Sequence, residues 1–392
     1  MNLLLPLVAL LTVGLLLYPR IRNARIWRAT LTPLASIIGS GFLVVAPLLG
    51  QVMGRDAWLG MLMIVTLAYG VGYVIRFNIA HAESLSSQDG GGFWVERVSN
   101  LALSLAYVVS VAFYLRLLSA FALRGFNRGE VWADGLTTIL LVFIGVTGYR
   151  RGLAALERLE EYAVSIKLGV IAALLFGLAA HGWQSGYDWT EVPELDWNRV
   201  ESWRVLAGLL LVVQGFETSR YLARAYPAWM RIQSMRYAQW ISAGIYLAFV
   251  CLVTPLLGQV ENGAVSETAV IDLAATAAWI LGPMLLVAAV MSQFSAAVAD
   301  TVGAGGLLQE ESGGRVSQRM AYVLMTSACI VLVWSADLFE IIALASRAFA
   351  FYYLLQTVLA WQLAVNRPAT RGLFGLLAVI LALVVAFAQP VD

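Results

Sequence analysis

Apolar runs of about 20 residues follow one another along the whole chain, and a helix needs that length to cross the hydrocarbon core of a bilayer. This spacing constrains the fold more than any other feature of the 392 residues. In lipid every backbone N–H and C=O must find its partner inside the protein, which leaves helices or a closed barrel. Hydrophobic residues make up 60% of the chain and charged residues 12%, with a mean hydropathy of +0.79. The chain therefore reads as an all-α polytopic membrane protein. The pattern predicts twelve helices, near residues 2–18, 31–53, 57–76, 96–123, 131–148, 160–181, 203–223, 237–258, 275–306, 319–335, 338–364 and 371–388. The first lacks a basic start and a small-residue cleavage site, so it reads as a retained helix and not a signal peptide.

The loops sort by charge. One alternate set carries Arg20, Arg22, Arg25, Arg28, Arg76, Arg97, Arg150, Arg151, Arg158, Arg220, Arg224, Arg231, Arg236, Arg315, Arg367 and Arg371; the other carries Arg55, Arg124, Arg128 and Arg199. The positive-inside rule makes the first set cytoplasmic and puts both termini outside. An acidic, tryptophan-bearing loop at 182–202 (Trp183, Trp189, Trp197) suits the outer interface of a bacterial inner membrane. A net charge of +1 gives no electrostatic case for nucleic acid. Cys251 and Cys329 lie far apart in apolar runs and read as small core residues, not a disulfide. His81 and His181 are isolated. No nucleophile motif, metal-ligand cluster or cofactor motif is present, so enzyme chemistry is poorly supported and no cofactor is expected.

Two spans are interrupted. "TLTPLASIIGSGFLVVAPLLG" carries Gly39-Ser40-Gly41 at its middle, and "VLAGLLLVVQGFETSRYLARAYP" carries Gln214-Gly215 and Glu217. Glycine weakens a helix, and a carboxylate at membrane depth costs about 2.5–3.5 kcal/mol on insertion scales, so it needs a partner or a role. Close helix packing through small residues is one explanation of the glycines. The pairing of the two segments favours another. Each opens a set of five helices, and the two sets run in opposite orientation. Interrupted segments at matching places of two halves point to a transporter's binding site, where half-helix N-termini face anionic groups and half-helix C-termini face cations.

The residues themselves resemble the amino acid–polyamine–organocation (APC) superfamily. "ASIIGSGFLVVAPLLG" is similar to its first core helix, and "RFNIAHAESLSSQDGGGFWVERVSN", with Glu83 ahead of Gly91-Gly92-Phe93, to the stretch after its second. "GLAALERLEEYAVSIKLGVIAALLFGL" resembles the fifth core helix, "LLLVVQGFE" the sixth and "SQFSAAVADTVGAGGLLQEES" the eighth. The likeness covers about residues 29–365. It implies a five-plus-five inverted-repeat transporter fold with broken first and sixth core helices. Residues 29–181 would form the first repeat and 203–365 the second. An extra helix and Arg-rich link (1–28), the outer loop (182–202) and a C-terminal helix (366–392) would flank them. It also implies a substrate carboxylate on the N–H groups of Ser40, Gly41 and Phe42, and an amine on carbonyls near Ile37, Val212 and Val213. Phe216 beside Gly215 would act as a gate. The extra first helix, Asp89 before the glycines and Arg347 in the tenth core helix depart from the family pattern.

Lys167 is the only lysine in the chain and sits inside a span. Arginine stays charged in proteins, whereas a buried lysine can give up its proton. By the resemblance, its ammonium would replace a sodium ion, bridging carbonyls near Ser36 and Gly39 to Ser295, with Ser292 lining the same place. A snorkelling lysine and a pair with Asp300 at similar depth are the alternatives. Arg347 would either anchor an anionic substrate or pair with Glu217 or Asp337; Arg116 would line an outer vestibule or snorkel. The functional expectation is a secondary active transporter of an amino acid or related small organic solute. It would be sodium-independent and either proton-coupled or exchanging, with protons and the lipid bilayer as its other partners. Transport of another anion through Arg347, and a non-transporting scaffold or sensor, are the competing readings.

Overall fold

A computed structural model describes residues 2–39, 41–81, 90–125, 132–186, 192, 200–259, 274–275, 278–335 and 338–387, and all regular structure among them is helical. A short helix α1 (Leu4–Leu16) leads through one turn, α2 (Pro19–Arg22), to α3 (Arg25–Ile37). Then come α4 (Gly41–Met53), α5 (Ala57–His81), α6 (Gly90–Gly125), α7 (Ala133–Arg151) and α8 (Leu153–Ser185). The second half holds α9 (Val200–Leu209), followed by two 3-10 stretches, Leu210–Val213 and Phe216–Leu222. After them run α10 (Ala228–Val253), α11 (Leu281–Glu311), α12 (Gln318–Ser335), α13 (Leu338–Leu363) and α14 (Pro368–Phe387).

Seven of these, among the described residues, are long and apolar enough to cross a membrane by themselves. The two interrupted spans are each in pieces, so neither half meets that length alone. Buried positions form one large core that runs through α3, α6, α8 and α11; α11 packs on the other three, and α3 packs on α8. Large apolar side chains such as Leu10, Leu11, Ile139, Val331 and Leu376 are exposed, as expected of surfaces that face lipid and not water.

Two expectations change. Cys329 is buried, but Cys251 is exposed; both are free. A span has a lipid-facing side, and a small apolar residue is tolerated there as well as in the core. Several arginines assigned to loops ride on helices instead: Arg76 on α5, Arg97 on α6, Arg158 on α8, Arg231 and Arg236 on α10. The helices run past the apolar stretch into the polar layer. Arg76 and Arg231 are there 4% and 3% exposed, bonded to Gln239 and to the Arg220 carbonyl respectively.

Candidate substrate and coupling site

Both interruptions are real breaks, and they touch. The helix α3 ends at Ile37; Ile38 leaves the helical region at φ −85°, ψ 63°. In the second span Gly215 takes φ +110°, a left-handed conformation that glycine alone adopts cheaply. A Cβ on Gly215 would sit 2.2 Å from Ser36 Oγ, and one on Gly41 would sit 2.4 Å from Val212 Cγ1. The two glycines thus let each break lean on the other. Tyr246, from α10, joins them chemically: its hydroxyl donates to the Ile37 carbonyl at 3.0 Å and reaches the Val212 carbonyl at 3.3 Å. Above it Phe42 packs on Tyr246 and Phe249, with ring centroids 5.5 and 4.5 Å apart. Phe216 is 1% exposed and stacks on Tyr353. The helix α4 begins at Gly41, so its first-turn N–H groups are directed at the break; the Phe42 N–H makes only a long contact, 3.5 Å, to the Gly39 carbonyl.

Lys167 points into the same place. It is fully buried, and its Nζ donates to the carbonyls of Ala35 (2.9 Å) and Ile38 (2.6 Å) and to Ser295 Oγ (2.8 Å). An ammonium has three N–H groups, and all three are used. The two carbonyls belong to the last turn of α3, which has no intrahelical partner for them and carries the negative end of the helix dipole. Ser292 Oγ reaches the Ile38 and Gly39 carbonyls at 2.7 and 2.9 Å. The lysine on α8 therefore braces the broken end of α3 against α11.

Three carboxylates are buried around this brace. Asp300 does not pair with Lys167: its two oxygens accept from Ser36 Oγ (2.7 Å) and Ser110 Oγ (2.5 Å). Glu217 Oε2 accepts from the Gly215 N–H (3.0 Å) and the Tyr353 hydroxyl (2.5 Å), so it caps the second break. Glu160 accepts from Thr32 Oγ1 at 2.7 Å. Below the second break, Arg220 bonds Glu96 and Gln356, and Gln356 also meets Asn78 and Ser99. Tyr221 and Asn100 continue this network to the exposed Glu311.

The structure brings Ser36, Ile37, Gly39, Gly41, Lys167, Val212, Gly215, Glu217, Ser292, Ser295 and Asp300 together, and Phe42, Val213 and Phe216 pack beside them. Arg347 is not part of that group; it is exposed on α13, and Glu217 is held by Tyr353 instead. Ser40, Glu83, Asp89 and Asp337 lie outside the described residues. Arg116 pairs with Asp134 at 3.0 Å. Sequence reasoning missed Tyr246, Tyr353, Ser110 and Glu160. A tyrosine or serine in an apolar run carries no local mark. Glu160 carried one, as a carboxylate seven residues before the lysine, which places both on one helix face.

Two interrupted helices meeting inside a helical membrane bundle, with a cation braced against one broken end, define a transporter-type site. A family model described as an APC superfamily transporter matches residues 19–388, and the chain belongs to that family. A protein of Aquifex aeolicus (strain VF5), described only as uncharacterized, is 47% identical over 385 residues, covering 96% of this chain and 94% of its own. Among solved structures, the manganese transporter of Eremococcus coleocola shares the fold. One single-site variant of it matches with a TM-score of 0.57 at 15% identity, over 92% of this chain and 85% of its own. Its complex with an aromatic bis-isothiourea compound matches at 0.56 and 13%, over 91% and 85%. At such identities the likeness speaks for the fold. Among the described residues no three His, Cys, Asp or Glu side chains gather into a group able to hold a metal ion.

Proposed function

We propose that this transporter is a secondary active carrier of an amino acid or related small organic solute, working by alternating access, independent of sodium and coupled to protons. The observation that carries the reading is the seat of Lys167, between the Ala35 and Ile38 carbonyls and Ser295. A bound metal cation in that seat would satisfy the same oxygens. A lysine does so with a charge it can discharge, so protonation ties α3 to α11 and deprotonation frees them. The substrate would lie at the two breaks, with its carboxylate on the N-terminus of α4. Its amine would take the Ile37 and Val212 carbonyls that the Tyr246 hydroxyl now engages. In this reading residues 29–181 and 203–365 are the two inverted repeats, and the arginine-rich ends face the cytoplasm of a bacterial inner membrane.

The test is uptake of radiolabelled amino acids, singly across the twenty, into proteoliposomes under an imposed pH gradient or an imposed sodium gradient. The expected result is accumulation driven by an inward proton gradient, unchanged by sodium, and lost in Lys167→Ala. Sodium-driven uptake, or proton-driven uptake intact in Lys167→Ala, overturns the coupling. Manganese(II) uptake in place of any amino acid overturns the substrate class.

A further inference from the structure

Glu160 is fully buried on α8 and has one oxygen that the fold does not use. Oε2 accepts from Thr32 Oγ1 at 2.7 Å, while Oε1 finds no partner among the described residues. The Tyr322 hydroxyl, on α12, is likewise buried and without a partner, and it lies close enough to feel the charges of Glu160 and Glu157. Both atoms lack a partner among the described residues, and such groups are costly to bury unless water meets them. Glu160 also feels Lys167, across two turns of the same helix face, a rise of about 10 Å. The remaining charged or titratable groups near it are Glu157 on α8, Asp300 on α11, and Tyr226 just before α10. The helix α1 offers none.

One turn before Glu160 the side chains of α8 reach the solvent-exposed Arg28. Glu157 bonds Arg28 Nη2 at 2.9 Å and the Tyr226 hydroxyl at 3.2 Å. Glu161 holds Arg22 through both carboxylate oxygens, at 2.7 and 3.1 Å. Arg22, Arg28, Glu157 and Glu161 line a cavity of about 260 Å³ between the link after α1 and the start of α8. Lys167, Glu160 and this cavity thus lie in line along α8. The three N–H groups of Lys167 are spent on α3 and Ser295, so Glu160 is no salt-bridge partner of the ammonium.

We propose that Glu160 is a proton relay: it takes the proton that Lys167 releases and passes it to water in the cavity beside Glu157 and Glu161. The step conserves charge. The proton crosses on intervening water: an N–H bond of the ammonium breaks as a water takes the proton and gives up one of its own, and an O–H bond forms on Glu160, leaving a neutral amine and a neutral acid. The acid then loses its proton to cavity water. The inference rests on the proton-coupled reading of Lys167 and names the exit it requires.

The experiment is infrared spectroscopy of the full chain in lipid nanodiscs, titrated with protons alone in H₂O and D₂O. Wild type should show a protonated-carboxyl C=O band that Glu160→Gln deletes and Glu160→Asp displaces. In Lys167→Met the midpoint of that band should move to higher pH by about one unit or more, the mark of two interacting sites. Identical carboxyl bands in wild type and Glu160→Gln overturn the relay. So does a midpoint indifferent to Lys167→Met. Should Glu160→Gln fail to fold, displacement of the band in Glu160→Asp decides, and a band unmoved in that variant counts against the relay. These spectra need no substrate, so failure of the relay shows there, while failure of proton-driven transport shows in the uptake assay.

Discussion

Lys167 spends every donor it has, and that makes its replacement informative. Lys167→Ala takes the side-chain donor from the Ala35 carbonyl, a loss of about 1–3 kcal/mol, and leaves the Ile38 carbonyl to Ser292. The variant should melt lower yet still assemble, and its residual uptake should be flat with pH. Lys167→Arg keeps a charge that cannot be discharged. If the amine must lose its proton each cycle, this variant should bind substrate and transport it at least about tenfold more slowly, the effect of a barrier raised by about 1.4 kcal/mol. Full activity of the arginine variant would show that the brace only needs to be positive. Tyr353 gives a second test. Tyr353→Phe strips Glu217 Oε2 of its shortest bond, while Oε1 already has no partner among the described residues. The second break should loosen, read as a lower melting temperature in detergent; an unchanged one would assign the capping to Gly215 alone.

At the scale of elements, the two breaks differ in kind. Gly41 is needed for space: its absent side chain leaves room for Val212. Gly215 is needed for both space and backbone, with φ +110°, where a side chain adds about 1–3 kcal/mol of strain. Gly41→Ala should therefore be rescued by Val212→Ala, and Gly215→Ala should not be rescued by Ser36→Ala. Uptake and melting of the two double variants check this; equal rescue would mean that packing alone demands both glycines. The breaks were legible in the sequence because glycine pairs and a mid-membrane carboxylate are costly unless used. The lysine was legible because it is unique. Tyr246 was not, because its hydroxyl matters only once α10 is placed beside both breaks, and the sequence around it reads as one more apolar span. Arg347 could not be placed from the sequence for the opposite reason. A charge in an apolar run reads as buried, but only the packing of α13 shows that this one is exposed.

For the whole molecule, the all-helical membrane class followed from hydrophobic length, and the helix ends did not. The helices α5, α6 and α8 all run beyond the expected boundaries because polar residues continue them outside the hydrocarbon layer. The network around Arg220, Glu96, Gln356 and Asn78 joins four separate parts of the chain, and no local pattern announces it. We predict that it seals the arginine-rich side beneath the second break. Glu96→Gln should weaken that seal, so a maleimide probe on a cysteine placed at Ser99, in a background without native cysteines, should react faster from that side. An unchanged rate would mean the network is structural filler.

The first helix settles which part of the machine stands still. Gly169 and Gly177 bring α8 so close to α1 that an added side chain would strike Ala9, Val13 or Leu5, and Arg22 fastens the following link to Glu161. The lysine-bearing helix is thus bolted to a post of its own, and on the alternating-access reading proposed above the travel that opens and shuts the pathway falls to α3 and its partner break. A disulfide between cysteines at Gly39 and Ala296, whose side-chain positions lie 3.4 Å apart, should freeze the turnover cycle, and its reduction should restore it.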